Sequence, residues 1–352
     1  MRADSPPSAP SAALPCAPDA IDDFLSQPTE RAVAAIARAR GPFLVLGAGG
    51  KIGLHLAVML RRALDQLGRR DRVLAVSRFT TLRDRAAFES RGVATHACDL
   101  GDTAALAALP DAPTVFFLAG VKFGTTAAPD LLHAVNVEIP RLVARRFARS
   151  QLIAFSSGNV YPFVTPASGG AREDTPVAPV GDYAASCVAR EQAFSTASAA
   201  QGTPVVLLRL NYACEFRYGL LVDLAQKILA GRPVDLTTGY VNVIWQADAV
   251  AHSLQAIELA ASPAVPINLT GAEVLAVRDL ATRFGAALDR PVSFTGTEAP
   301  TAWLNNASHS HRRFGAPPTS IGQMIAWTAT WLAQRGETWG KPTGFERRDG
   351  RF

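Results

Sequence analysis

The segment FLVLGAGGKIGLHLAVMLRRALDQLG, residues 43–68, constrains the fold more than any other part of the chain. A short apolar run of strand length leads directly into Gly47, Gly50 and Gly53, and an amphipathic helical stretch follows at once. In that setting the three glycines have separate uses: a tight turn, close approach of main chain to a ligand, and close packing of helix on strand. The helix N-terminus then faces whatever the turn cradles, and its unpaired N–H groups favour an anion such as a pyrophosphate. The spacing Gly-x-x-Gly-x-x-Gly, following a strand and opening a helix, therefore predicts a dinucleotide site.

The rest of the chain repeats this unit. Apolar runs at FLVLG, RVLAVS, VATHAC, TVFFLA, QLIAFS and PVVLLRL alternate with helical stretches such as PDLLHAVNVEIPRLVARRFARS. Strands that are apolar nearly throughout are covered on both faces, and intervening helices supply the crossovers. The prediction is a Rossmann-type α/β fold, a doubly wound parallel sheet. After residue 210 the alternation loosens into helices joined by Pro- and Gly-containing loops, which predicts a smaller, partly helical C-terminal substrate region. The expected boundaries are a flexible tail over 1–22, a dinucleotide-binding domain over 23–210, a substrate region mainly over 211–340 with one strand returning to the sheet, and a tail over 341–352.

Composition narrows the function. With 352 residues, 48% hydrophobic and 18% charged, the chain can bury one large core or two unequal ones. Its apolar runs fall short of the roughly 20 residues that cross a bilayer, and residues 1–20 lack the basic start and apolar core of a signal peptide. A cytoplasmic protein without membrane contact is expected. The net charge of +5 is spread over helix faces and forms no basic stripe interleaved with aromatics, which argues against nucleic acid. Cys16, Cys98, Cys187 and Cys214 lack CxxC spacing, so reduced thiols are expected, with neither a disulfide framework nor a metal site.

The second strand ends VLAVSRF. An acidic residue there would hydrogen-bond the adenosine ribose of NAD, but Ser77 and Arg78 stand there, and an arginine suits a 2′-phosphate. NADP(H) is the favoured cofactor and NAD(H) the alternative. Asp99 of ACDL, after the third strand, is placed to meet the adenine edge.

Seven landmarks follow in order: GAGGKIG, CDL, FFLAGVKFG, NVE, AFSSGNVYP, GDYAAS and LRLNY. On these the chain resembles the extended short-chain dehydrogenase/reductases, the NAD-dependent epimerase/dehydratase group. The resemblance implies hydride transfer between a carbinol carbon and a nicotinamide, with Tyr183 as acid/base and Ser157 hydrogen-bonded to the reacting oxygen. It further implies cofactor contacts from Gly47, Gly50, Lys51, Ile52, Gly53, Ser77, Arg78, Asp99, Leu100, Ala119, Gly120, Lys122, Asn136, Tyr183 and Asn211. Substrate contacts would come from Ser157, Asn159, Asn211 and Trp245. Helices near 129–150 and 182–200 correspond to a homodimer interface in the group.

One position departs from the pattern. A free phenol has a pKa of about 10, and in the group a lysine one helical turn after the tyrosine lowers it. Here that position is Cys187. Three readings compete. Lys122 substitutes, because LAGVKFG resembles a segment in which sugar epimerases of the group carry a lysine near the cofactor. Alternatively the chemistry is lost and the fold persists as an NADP-binding or partner-binding module. Lastly, Cys187 is itself a nucleophile, though the local sequence offers no histidine partner.

Sugar 4,6-dehydratases of the group carry an Asp-Glu pair where Gly158 and Asn159 stand, so an epimerase or a dehydrogenase/reductase is expected instead. The stretches TTGYVNVIWQADAV and SFTGTEAPTAWLNNAS lack the arginines that nucleotide-sugar enzymes bring to a diphosphate. The expected substrate is a small hydroxylated carbonyl compound, such as a free sugar or sugar acid, with a nucleotide-sugar 4-epimerase as alternative. Arg209 and Arg217 are either anion contacts or structural residues. Trp245 and Trp303 line a sugar pocket or fill the core. His55 reads as a packed helix residue and HSHRR, 309–313, as a solvated helix end.

Overall fold

The computed structural model describes residues 14–15, 17–80, 84–124 and 128–351. Strands β1 (Phe43–Leu46), β2 (Val73–Ser77), β3 (Ala94–Ala97), β4 (Thr114–Phe117), β5 (Gln151–Ser157), β6 (Val205–Leu210) and β7 (Val265–Leu269) form one sheet. Its order is β7-β6-β5-β4-β1-β2-β3, and every pair is parallel. The strand order reverses between β1 and β4, which opens a crevice at their carboxyl ends.

The thirteen α-helices of the described residues are α1 (Pro18–Phe24), α2 (Glu30–Arg38), α3 (Gly53–Gln66), α4 (Ala86–Glu89), α5 (Thr103–Ala107), α6 (Pro129–His133), α7 (Ile139–Arg146), α8 (Asp182–Gln201), α9 (Leu220–Leu229), α10 (Gln246–Gln255), α11 (Val277–Leu288), α12 (Ser308–Phe314) and α13 (Ile321–Ala333). Successive strand residues point to opposite faces. Phe43 and Val45 therefore join Phe116, Ile153, Val206 and Ile267 beneath Leu56, Leu60 and Leu254 of α3 and α10, while Leu44 and Leu46 join Val76, Phe117, Leu152 and Leu207 beneath Val143 and Phe194 of α7 and α8. A strand apolar on both faces is the sequence record of these two layers.

Between α6 and α7, residues Ala134–Glu138 form a π-helical turn. Pro140 has no N–H to return to the Asn136 carbonyl, so the regular ladder cannot continue there. The widened turn carries Asn136 inward, where its Oδ1 accepts from Val121 N at 2.9 Å and its Nδ2 donates to Val121 O at 2.8 Å and Ser186 Oγ at 2.9 Å. One buried amide thus ties the loop after β4 to α8.

A second core lies around Trp245, Phe216, Phe284 and Met324, between α9, α11 and α13. It corrects both expected tails. Residues 18–22 belong to α1, where Ile21 is fully buried against this core. Asp22 Oδ1 receives Arg217 Nη2 at 2.7 Å and lies 2.9 Å from His55 Nε2. A helix of only about two turns carries too few apolar positions for periodicity to register. At the other end Phe345 is buried, Thr343 N donates to Asp223 Oδ2 at 2.7 Å, and Gly350 abuts Gly181 at the start of α8. The expected tail over residues 1–13 lies outside the described residues, as does Cys16; Cys98, Cys187 and Cys214 are free and buried. No described helix is long and apolar enough to cross a membrane.

Candidate active site

The glycine turn after β1 is shaped by collisions that side chains would cause. Gly47 has φ +79, and a Cβ there would lie 2.4 Å from Ala119 N; a Cβ on Gly53 would lie 2.2 Å from Ala48 O. Gly50 differs, since a Cβ there would meet nothing nearer than Gly47 O at 3.6 Å. Two glycines therefore serve close packing, and the third leaves main chain open to a ligand, as a pyrophosphate at the start of α3 requires. Ala119, on the loop after β4, lies against Gly47 and is followed by Gly120, while Ile52 packs on the core face beneath α3 and Leu100 on the opposite face. Ser77 backs onto the turn, its Oγ 2.5 Å from the place of a Gly49 Cβ. Arg78 Nη1 lies 3.9 Å from Asp99 Oδ2, a loose and exposed pair at the ends of β2 and β3. These residues fit a nicotinamide dinucleotide.

The opposite wall comes from β5 and α8. Ser157 ends β5, its Oγ donating to Asn159 Oδ1 at 2.9 Å and accepting from Asn159 N at 3.2 Å. Tyr183 lies in the first turn of α8 and shares hydrogen bonds with Ser157 and Cys187. The structure thus brings together Ser157, Tyr183, Cys187 and Lys122. Burial pushes the Tyr183 phenol well above its ordinary value and the Cys187 thiol adds to this, while the Arg190 guanidinium and the Ser157 hydrogen bond pull it back. Burial likewise raises the Cys187 thiol. Lys122 is pushed down to about 8 by burial, and its Nζ lies 5.3 Å from the Tyr183 ring centroid, over the ring.

Arg190 is a residue the sequence reading does not single out. It is 6% exposed, with Nη2 donating to Asn136 Oδ1 at 2.7 Å and Nη1 to the Phe155 carbonyl at 3.2 Å, while Nε has no partner. Its Nη2 lies 2.5 Å from where a Gly120 Cβ would stand, so a side chain at residue 120 would displace the guanidinium. Among the described residues no carboxylate forms an ion pair with it, although buried charges are ordinarily paired. The signal was available: Tyr183, Cys187 and Arg190, at i, i+4 and i+7, share one helix face.

Asn305 was also missed. Both polar atoms of its buried side chain lack partners, and Nδ2 lies 2.6 Å from the place of a Gly158 Cβ, beside the Ser157 turn. Asn159 is buried against Ser157, and Asn211 Nδ2 donates to the Trp303 carbonyl at 3.3 Å.

Of the two readings of Trp245, sugar-pocket wall or core, the structure gives the core: the residue is 1% exposed and packs on Phe216 with ring centroids 5.0 Å apart, so it is not a substrate contact. The apolar wall between α9 and α13 needs a large filler there. Arg209 and Arg217 are occupied: Arg209 Nη2 bonds Glu191 Oε2 at 2.7 Å, and Arg217 bonds Asp22 and Glu215. His55 is fully buried between Asp22 and Gln246. In α12, His311 Nε2 donates to the Thr270 carbonyl at 3.0 Å, so the HSHRR segment is only partly solvated. No group of three or more His, Cys, Asp or Glu able to hold a metal occurs among the described residues. A cavity of about 760 Å³, lined by Arg40, Arg145, Arg149 and Gln151 among others, opens at the amino ends of the strands, away from these groups.

Comparison with known proteins places this geometry. Residues 43–240 match the model of the NAD dependent epimerase/dehydratase family. A search of curated proteins gives no match. Among solved structures, MoeE5 in complex with UDP-glucose and NAD is 19% identical, with a TM-score of 0.66, covering 84% of this chain and 99% of its own. UDP-glucuronic acid 4-epimerase from Bacillus cereus, in complex with NAD, is 18% identical with a TM-score of 0.68, covering 83% and 99%. Thermus thermophilus UDP-glucose 4-epimerase, also with NAD, is 19% identical with a TM-score of 0.66, covering 82% and 97%. The strand order and the open glycine turn agree with the family match, and the chain belongs to the NAD-dependent epimerase/dehydratase family as an enzyme of the extended short-chain dehydrogenase/reductase type.

Proposed function

We propose that the protein is an NAD(H)-dependent epimerase or dehydrogenase that moves a hydride at a carbinol carbon of a nucleotide-linked sugar. The observation that carries this reading is the Tyr183 hydroxyl bonded to Ser157 at the end of β5, in a fold whose glycine turn after β1 leaves main chain open at Gly50. Similar folds hold UDP-glucose and NAD, which supports a nucleotide-linked substrate over the free sugar expected from the sequence. The exposed pairing of Arg78 with Asp99 leaves NADP(H) as the alternative cofactor.

Bound NAD supplies a two-electron hydride acceptor. The turn at Gly50, shaped by the close packing of Gly47 and Gly53, would hold its diphosphate, and Ala119, Gly120 and Asn136 would border its nicotinamide end. Tyr183, as phenolate, takes the carbinol proton while Ser157 holds the same oxygen and stops it rotating. Two cations offset the charge of that phenolate in place of a lysine at position 187. Arg190, held by Asn136, is one, and Lys122, over the Tyr183 ring, is the other. Cys187 adds only a neutral thiol, since burial raises it. A homodimer through α6, α7 and α8 belongs to the same reading; sedimentation at micromolar concentration would show twice the chain mass, and a monomer would refute it.

The test is incubation of the NAD-loaded protein with UDP-glucose, UDP-galactose, UDP-glucuronate and the matching free sugars, with products resolved by proton NMR. Conversion of a UDP-sugar supports the reading. Conversion of free sugars alone, or of none, refutes it.

A further inference from the structure

Of 35 basic residues only four are lysines, at positions 51, 122, 227 and 341. Lys227 is paired with Glu346 on the C-terminal segment. The other three converge. Lys51 follows Gly50 in the glycine turn, and its Nζ lies 3.3 Å from the centroid of the Tyr218 ring and 4.8 Å from that of Phe123. The Phe123 ring is also 5.5 Å from Lys122 Nζ, which lies 5.3 Å from the ring of Tyr183. Lys341, just after Trp339 stacked on Tyr218, acts on Lys51 from the C-terminal segment. A continuous path of two ammonium groups and aromatic faces thus runs from the glycine turn to the proton-transfer residue.

At Lys51 the electrostatic compensation is weak. Burial drives Lys51 down to about 7, repulsion from Lys341 and Lys122 adds to this, and only Asp223 opposes them. The Asp223 carboxylate is engaged elsewhere, accepting from Thr343 N at 2.7 Å and Thr343 Oγ1 at 2.5 Å. Among the described residues no carboxylate forms an ion pair with Lys51. The Tyr218 face returns part of the lost hydration and aims the ammonium. Like charges gathered in a partly buried place repel one another, and an incoming anion removes that repulsion. A lysine is a compact point charge that serves a single oxyanion, without the planar fork an arginine offers a bidentate partner.

We propose that Lys51, Lys122 and Lys341 form an oxyanion subsite that takes a phosphate or carboxylate borne by the substrate, next to the carbon that Tyr183 serves. The proposal rests on the reading of Tyr183 above and specifies what the substrate must carry. It also supplies cationic contacts that the two arginine-free C-terminal stretches do not.

The test is calorimetric titration of protein saturated with NADH, using UDP-glucose, glucuronate and glucose as probes. With NADH in place its own diphosphate occupies the glycine turn, so only a second anion site registers. At least one anionic probe is expected to bind ten or more times tighter than glucose. Lys51→Met and Lys341→Met should each weaken that probe about tenfold, with Lys51→Arg intermediate. Lys341 is exposed, so its variant folds even if the turn tolerates no change at residue 51. Equal binding of charged and neutral probes, unchanged affinity in both Met variants, or displacement of NADH by the anion would overturn the proposal. Because the readout is binding, it stays interpretable even if no probe is turned over.

Discussion

The two walls of the site were made under different constraints. The wall formed by β1, the glycine turn and α3 is set by main-chain geometry, which excludes a side chain at Gly47 and Gly53 and leaves Gly50 open. The wall formed by β5 and α8 is set by charge: the cation beside the tyrosine is missing from its usual place at Cys187, and Arg190 and Lys122 lie near instead. Steric requirements admit few solutions, whereas a charge can be delivered from any element that reaches the spot. Local sequence therefore identifies the first wall and leaves the second open.

The sharpest break of this contrast is Gly47→Val. The residue has φ +79, and its new Cβ would lie 2.4 Å from Ala119 N, main chain that cannot rotate away. Loss of cooperative folding or of all measurable NADH binding is expected in thermal melts and calorimetry. Gly50→Ala, whose Cβ meets nothing nearer than 3.6 Å, should fold and melt nearly as the parent while binding NADH at least tenfold more weakly. If both variants behave alike, main-chain sterics do not set this wall.

The charged wall is tested by Arg190→Met. Arg190 pulls the Tyr183 phenol down against burial, so its removal raises the phenol further and moves the rising limb of the pH–rate profile to higher pH. A shift of about one unit, equal to about 1.4 kcal/mol, is expected. Adding Cys187→Lys should move the limb back, which a purely structural role for Arg190 would not produce.

A smaller effect concerns Lys51. Its ammonium is held down to about 7 by burial, by Lys341 and by Lys122 against Asp223, so it is charged below that pH and neutral above it. The affinity of an anionic probe should fall about tenfold between pH 6 and pH 8, and the dependence should vanish in Lys51→Met. The smallest effect belongs to Arg78→Ala. The guanidinium is exposed and only 3.9 Å from Asp99, a pair worth about 0–1 kcal/mol, so NADH affinity should change less than fivefold. A far larger loss for NADPH would mark NADP(H) as the cofactor.

Much of the fold is legible because strands buried on both faces leave continuous apolar runs; β1 and β4 read this way, as does the glycine turn. Tyr183 and Ser157 were legible from their motifs. The position of α1 was not, because Ile21 and Leu25 pack on residues some two hundred positions later, and no local pattern records that. Phe345 escaped for the same reason, and Trp245 could be read as pocket or core until the packing between α9 and α13 placed it in the core. Arg190 was legible by helical spacing from Tyr183 and Cys187, but arginines on other helix faces of the chain look the same in sequence. Lys341 and Asn305 reach the site only through tertiary folding.

The central claim is that Tyr183 performs proton transfer although Cys187 stands where a lysine is usual. The most direct measurement compares the rate of UDP-sugar conversion by NAD-saturated parent protein and Tyr183→Phe, with NADH affinity measured on both. A fall of about 100-fold or more in rate with NADH affinity unchanged is predicted, in the range typical of losing a general acid/base. Equal rates in the two proteins would contradict it.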